Sequence, residues 1–323
     1  MKAIVYYSYG GPEVLRLEEM AKPSPDPQEV LVRVRAAALN PYDWHFMRGT
    51  PYPLRAMLGI GNPKNRRIGA DFAGEVEAVG SRVTQFKPGD AVFGGGQGAF
   101  AEYICTSETK LARKRENVPF EEAAGVNIAG LTALQALRDK ARVRTGQSVL
   151  VNGAAGGVGT FGVQIAKAYG AEVTGVCSGR NGEMVRALGA QHVIDYTRDD
   201  FAAEAARYDV ILDCVGNRSL ADMRSVLKPA GVYVGAGGTT DNWMIGPLAH
   251  TFKRVLLSRL GKKKLLAILA KPRQKDLIEL GEMMAAGRMK TVLDRQYKLS
   301  ETAEAMRYLE LGHARGKVLV VPD

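Results

Sequence analysis

The stretch that most constrains what this chain can fold into is Val149-Leu150-Val151-Asn152-Gly153-Ala154-Ala155-Gly156-Gly157-Val158-Gly159, an apolar run that breaks into glycines and then into a helix. Val149 to Val151 reads as a strand buried in a parallel sheet. Phe161, Ile165 and Tyr169 share one helical face, and Gly170 supplies the stop. Between them, Ala154-x-Gly156-x-x-Gly159 has the spacing of a dinucleotide cradle with alanine in the first glycine position. The small residue at 154 permits the tight turn, Gly156 lets the backbone approach a pyrophosphate, and Gly159 lets helix and strand pack closely. Gly157 and Val158 begin the helix, whose unpaired N–H groups receive the anion. A tight turn also needs glycine, so the pattern gains its force from context: a strand before, a helix after, and a second strand over 172–177.

A chain of 323 residues exceeds one ordinary core and implies two domains. No basic-then-apolar segment opens it and no apolar run approaches membrane-spanning length, so the expected location is cytoplasmic. Cys105, Cys177 and Cys214 lie far apart without paired spacing, which excludes a disulfide framework and a cysteine-cluster zinc lobe; each reads as an inert thiol in a buried strand. The net charge is +10, and residues 253–275 carry nine lysines and arginines with no acid. A solvated face explains that run more simply than attraction to an anionic surface, and peripheral contact with a membrane stays open as an alternative.

The first third is β-rich. Val30, Val32 and Val34 alternate with Arg33 and Arg35 over 29–39, the pattern of a half-buried antiparallel strand. Further strands are expected over 3–7, 71–79, 91–93 and 99–106, giving a compact barrel-like domain. A helix is expected over 121–140. Strands then alternate with helices, over 148–151, 172–177, 192–195, 210–215, 232–235 and 265–269, the rhythm of a doubly wound parallel sheet with its ligand at the strand carboxyl ends. Helices over 276–286 and 301–311 and a strand over 317–321 close the chain and are expected to return to the first domain.

This order of parts, with Gly69-Ala70-Asp71-Phe72-Ala73-Gly74, Gly130-Leu131-Thr132-Ala133, the cradle and a closing Gly316-Lys317-Val318-Leu319-Val320, resembles the medium-chain dehydrogenase/reductase superfamily. Within it, the chain is similar to the zinc-free quinone oxidoreductase branch, particularly its plant chloroplast-envelope members. Arg180-Asn181, Val193-Ile194-Asp195-Tyr196 and Met289-Lys290-Thr291-Val292 carry that likeness. The resemblance implies an α/β protein with a GroES-like β-rich domain (1–122 and 273–323) and a Rossmann doubly wound parallel-sheet domain (123–272).

Zinc-dependent relatives would show Cys-x-x-Asp-x-His and then Gly-His-Glu. This chain has Asn40-Pro41-Tyr42-Asp43-Trp44-His45 and Gly69-Ala70-Asp71, so Asn40 and Ala70 replace two ligands and no metal is expected. Hydride addition to a quinone or enone tolerates that loss, because conjugation spreads the developing charge. His45 stands at the relay-histidine position and is read as an interdomain or surface histidine.

The end of the second Rossmann strand reads Cys177-Ser178-Gly179-Arg180-Asn181, with no carboxylate to accept from ribose hydroxyls. Arg180 can hold a 2′-phosphate, with Ser178 and Tyr196 adding hydroxyls by resemblance, which favours NADPH. The resemblance also assigns Thr132, Val215, Val234, Gly235, Gly237 and Lys317 to the cofactor. For catalysis it offers Asn40, orienting the nicotinamide ribose or substrate oxygen, and Tyr52, donating to the developing oxyanion, with solvent as another proton source. The substrate would be a small quinone or α,β-unsaturated carbonyl between the domains. The apolar stretch 243–260 would shape its mouth or touch a membrane. A homodimer through the sheet edge at 265–269 is a family expectation. The competing reading is an NADPH-binding regulator that touches a membrane or RNA through its basic face. With no aromatic residue among 253–275, no specific nucleic-acid partner is expected.

Overall fold

The computed structural model describes residues 1–203, 207–237 and 263–323; the apolar stretch 243–260 and the basic residues 253–262 lie outside them. The chain divides into two compact units, Met1–Leu131 with Lys271–Asp323, and Thr132–Ala270.

In the first unit, β1 (Lys2–Val5) and β2 (Arg16–Glu19) form an antiparallel pair. The organising strand is β3 (Glu29–Ala38), in which the valines expected to face inward are buried and Arg33 and Arg35 are exposed. One edge of β3 pairs along its length with β4 (Asp71–Val79), followed by β5 (Ala91–Gly95). Its other edge is shared, with β6 (Tyr103–Ser107) taking Glu29 to Arg33. After β7 (Leu111–Arg113), which pairs with β5, the sheet is completed by β14 (Leu293–Lys298) and β15 (Lys317–Val321). β15 takes β3 at Ala37 and Ala38. The C-terminal strand thus reaches β3 where that strand runs into residues 39–40. The core between these strands holds Phe72, Phe100, Ile104 and Met47, all fully buried.

Short helices decorate the first part of this unit, α1 (Pro41–Arg48), α2 (Arg55–Leu58), α3 (Phe120–Ala124) and the beginning of α4 (Asn127–Leu134), and two more, over Gln274–Ala285 and Thr302–Glu310, belong to its C-terminal part. α1 has readable start and stop signals. Asn40 is extended at the N-cap, Pro41 presets the first helical φ, and Gly49 ends the helix at φ +60°, where a Cβ would lie 2.6 Å from the Tyr9 ring. The continuous helix expected over 121–140 is interrupted at Gly125 and Val126. There a Cβ on Gly125 would press within 2.5 Å of Thr291, so close packing requires glycine, itself a poor helix residue, at the break. The helix resumes as α4 and ends in a π-helical turn over Gln135–Ala141. The strand expected over 99–106 is likewise shorter, since Ala101 makes only an isolated bridge to Ala3.

The second unit is a six-stranded parallel sheet in the order β10-β9-β8-β11-β12-β13. In chain order its strands are β8 (Ser148–Asn152), β9 (Glu172–Cys177), β10 (His192–Asp195), β11 (Tyr208–Asp213), β12 (Leu227–Gly235) and β13 (Lys264–Ala267). Val149, Leu150 and Val151 are fully buried, which is why the run has no polar alternation. α5 (Gly157–Ala168), α6 (Gly182–Leu188) and α7 (Leu220–Val226) follow β8, β9 and β11. The chain leaves β8 toward β9 and β10, then returns to place β11 on its other side. The topological switch point therefore lies between β8 and β11, at the carboxyl ends where a ligand is expected.

The cysteines depart from expectation in part. Cys177 is buried, but Cys105 and Cys214 are half-buried and Cys214 lies one residue beyond β11. Burial raises all three thiol pKa values, that of Cys105 to about 11, which keeps them protonated and unreactive at neutral pH.

The packing of α5 on β8 depends on Gly159, because a Cβ there would fall 2.0 Å from the Gly153 carbonyl oxygen. Gly159→Ala is expected to destabilise the protein by about 1–3 kcal/mol, the usual cost of overpacking, read as a lower urea midpoint at unchanged m-value.

Candidate active site

The cradle forms at the end of β8. Gly153 turns at φ +80°, the N–H groups of Gly153 and Ala154 both donate to the Val176 carbonyl, and Gly156 caps α5 in an extended conformation. Ala154 is fully buried, as the tight first position requires. A Cβ on Gly156 would meet only the Gly153 oxygen, at 3.5 Å, so one side of this residue is open. The first-turn N–H groups of Gly157, Val158 and Gly159 have no carbonyl four residues earlier within the helix, which leaves a positive helix end beside that opening. These features fit the pyrophosphate of a dinucleotide.

The other predicted cofactor residues of this unit gather along the same carboxyl edge. Ser178 and the exposed Arg180 occupy the turn after β9, where the Ser178 hydroxyl accepts from Asn181 Nδ2 at 3.2 Å. Tyr196 follows β10, 55% exposed, with its N–H donating to the Cys177 carbonyl. Val215 follows β11, while Val234 and Gly235 end β12. Gly237 approaches so closely that a Cβ would lie 2.3 Å from the Cys214 oxygen.

A buried polar cluster, unforeseen from the sequence, fixes this edge. Asp213, fully buried at the end of β11, accepts from Asn152 Nδ2 at 2.9 Å and from the N–H groups of Val215 and Gly216. Its other oxygen accepts from the Tyr233 hydroxyl at 2.8 Å. Asn152 Nδ2 also reaches Asn217 Oδ1 at 3.0 Å. The end of β8, the end of β11 and β12 are thereby joined at the switch point. The sequence gives Asn152 no role of its own and places Asp213 only within the strand expected over 210–215.

In the first unit, Asn40 and Lys317 meet. Lys317 Nζ donates to Asn40 Oδ1 at 2.5 Å and to the Leu39 carbonyl at 3.0 Å, and lies 3.8 Å from Asp71 Oδ2. Asn40 Nδ2 donates to Asp71 Oδ2 at 3.0 Å and to the Ala38 carbonyl. Asp71 also accepts from Asn127 Nδ2 and the Ile128 N–H, so its carboxylate sits at the start of α4. Asn40, Asp71 and Lys317 are at most 3% exposed. The amide of Asn40 and the ammonium of Lys317 therefore serve one another, where the sequence reading gave both to cofactor or substrate. Thr132, 8% exposed within α4, is close to fully buried as well.

Asp43, also buried, accepts the Asn40 N–H at 2.8 Å through Oδ2, while its Oδ1 has no partner among the described residues. Burial, with the Asp71 charge second, pushes its carboxyl up to about 8. Desolvation also raises Asp71 and lowers Lys317, each opposed by the attraction of the other. Two carboxyls and one ammonium thus share a dry site, and Asp43 holds a proton at neutral pH.

Tyr52 is 43% exposed in the turn between α1 and α2. The Arg55 guanidinium lies 4.6 Å from its ring centre and 4.4 Å from that of Tyr9, while donating to the carbonyls of Gly49 and Arg48. His45 bonds the Thr50 carbonyl through Nδ1 and stacks on Trp44, and burial lowers its pKa. A structural role accounts for these contacts. No three His, Cys, Asp or Glu side chains among the described residues form a metal-holding group. No helix among those residues is long and apolar enough to cross a membrane.

Two family models match the chain: an alcohol dehydrogenase GroES-like domain over residues 26–116 and a zinc-binding dehydrogenase model over 188–320. A chloroplast envelope quinone oxidoreductase homolog of Arabidopsis thaliana is 35% identical, with 100% of this chain and 98% of that protein covered. A chloroplastic NADPH-dependent alkenal/one oxidoreductase of the same plant is also 35% identical, over 100% of this chain and 80% of its own length. Among solved structures, Escherichia coli quinone oxidoreductase complexed with NADPH superposes with a TM-score of 0.84 at 26% identity, both chains covered completely.

A raised carboxyl pKa means that the folded protein binds a proton which the unfolded chain releases near its ordinary value. Asp43 therefore contributes stability that is present below about pH 4 and is lost as pH rises through about 8. Asp43→Asn is expected to flatten the fall in urea midpoint over that range, so that the variant gains on the parent as pH rises.

Proposed function

Because this chain belongs to the quinone oxidoreductase branch of the medium-chain dehydrogenase/reductase superfamily, we propose that it is a zinc-independent, NADPH-dependent reductase of quinones or α,β-unsaturated carbonyls. The observation that carries the reading is the glycine cradle at the switch point of the parallel sheet, with Gly156 open beside the positive end of α5. The bound nicotinamide supplies the hydride. Arg180 and Ser178, with Tyr196 across the strand end, are the groups that favour the phosphorylated cofactor, since a guanidinium fork matches a phosphate.

Independence from zinc is supported by the donor set. Asn40 and Ala70 stand at two positions where zinc relatives place cysteine and histidine, and neither is a zinc ligand. The Lys317 ammonium already lies against Asn40 and Asp71, and a divalent ion there would meet a fixed positive charge. Without a Lewis acid, simple ketones are poor substrates, whereas quinones and enones accept hydride into a conjugated system.

Tyr52 is the proton donor in this reading. A tyrosine hydroxyl can donate, this one is partly exposed, and the Arg55 guanidinium lies over its ring. Asn40 acts through Lys317 and Asp71, holding the residues that precede α1.

The test is consumption of reduced cofactor against a benzoquinone, a naphthoquinone, a short and a long enone, and a simple ketone, with and without chelator. Turnover of the conjugated substrates only, indifferent to chelator, is expected; chelator-sensitive ketone reduction would overturn the reading. Arg180→Ala should reduce the preference for NADPH over NADH by roughly tenfold or more. Tyr52→Phe should lower kcat on the order of 100-fold with KM little changed. An unchanged kcat would assign the proton to solvent.

A further inference from the structure

No carboxylate lies in the turn after β9 that carries Ser178 and Arg180, yet the fold delivers one from the neighbouring strand. β10 runs parallel to β9 with Asp195 opposite Cys177, the last residue before that turn. The Asp195 side chain is 20% exposed and points back toward the turn. Its Oδ1 accepts from the Thr197 N–H at 3.0 Å and the Thr197 hydroxyl at 2.8 Å. The carboxylate lies directly beside the Gly179 backbone, and Arg198 Nε lies 4.0 Å from Oδ2. A Cβ on Gly179 would fall 2.4 Å from Oδ2, so glycine is the residue that lets the carboxylate come this close.

We propose that Asp195 is a positioning residue for cofactor selection, which holds the Gly179 backbone so that Ser178 and Arg180 are presented together to the 2′-phosphate of NADPH. This rests on the NADPH reading above and supplies what it lacks, a reason for an exposed arginine in a short turn to hold one orientation. Arg180 is on the surface and the turn is a single 3-10 segment, Gly179–Asn181. Ordering such a side chain on binding has an entropic cost, and anchoring its backbone beforehand lowers that cost. The carboxylate already accepts from Thr197 and lies against Gly179, which turns it away from the role an acidic residue has in NAD-binding sites, accepting from the ribose hydroxyls.

The test uses binding without turnover. NADP⁺ and NAD⁺ are titrated calorimetrically into the full-length parent, Asp195→Ala, Asp195→Asn, Gly179→Ala and Arg180→Ala, with thermal unfolding as the check on folding. Asp195→Ala, which removes the carboxylate packed against the Gly179 backbone, is expected to weaken NADP⁺ roughly tenfold and to leave NAD⁺ unchanged. Asp195→Asn keeps an acceptor and should recover most of that loss. Gly179→Ala, whose methyl displaces the carboxylate, should reproduce it. Equal weakening of both nucleotides would reduce Asp195 to a structural residue. Tighter NADP⁺ binding by Asp195→Ala would mean that the carboxylate acts by repulsion, and unchanged binding that it does not act at all; any of these overturns the proposal. If Arg180→Ala leaves the ratio of the two affinities unaltered, the NADPH reading fails instead, independently of Asp195.

Discussion

The first unit depends on one buried ion pair, Lys317 with Asp71. Burying two charges costs several kcal/mol per ion unless each finds further partners. Here the partners come from separate parts of the chain: the carbonyl of Leu39 and the amide of Asn40 at the end of β3, Asn127 and the Ile128 N–H at the start of α4, and the two charged residues themselves at the first positions of β15 and β4. Four chain segments therefore converge on one dry point. The C-terminal strand is locked by charge as well as by its short pairing with β3 at Ala37 and Ala38. Asp43, the second carboxyl in the same region of low dielectric, stays neutral chiefly because burial disfavours its charged form, with the Asp71 charge adding to that cost.

The second unit repeats this design with uncharged donors. Asp213 is as deeply buried as Asp71, but its donors are an asparagine, a tyrosine and two backbone N–H groups, with no cation among them. Both aspartates end or begin a strand at the edge where chemistry is proposed. In each unit, the segments that leave these strand ends extend from a point that cannot shift without leaving a buried aspartate unsatisfied.

Much of this was legible in the sequence, for identifiable reasons. β8, the cradle and α5 were readable because burial on both faces removes alternation, and because Gly159 has no room for a side chain at its position. β3 was readable from Val30, Val32 and Val34 against Arg33 and Arg35. Less legible was α1, whose Pro41 and Gly49 are good boundary signals around a segment with little amphipathic pattern. The polar hubs were not legible at all. Asp71 meets residues 31, 56 and 246 positions away, and nothing local marks Lys317 as buried, since a lysine beginning a strand ordinarily faces water. Asp195 was missed for a similar reason: in a parallel sheet the residue beside a strand end comes from the next strand, with a whole helix between them in sequence.

The Lys317 contact also bears on the route by which a site of this kind could exchange one chemistry for another. Restoring cysteine at 40 and histidine at 70 would supply two missing ligands, yet the ammonium would still occupy the neighbourhood of residue 40. Any lineage or engineer moving toward a metal would have to change Lys317 as well. Until the metal arrived, that change would leave Asp71 without its cation. If the site is metal-free, as proposed, the intermediate sequences leave a buried aspartate unpaired and are the less stable ones, so the ammonium acts as a ratchet against stepwise change toward a metal.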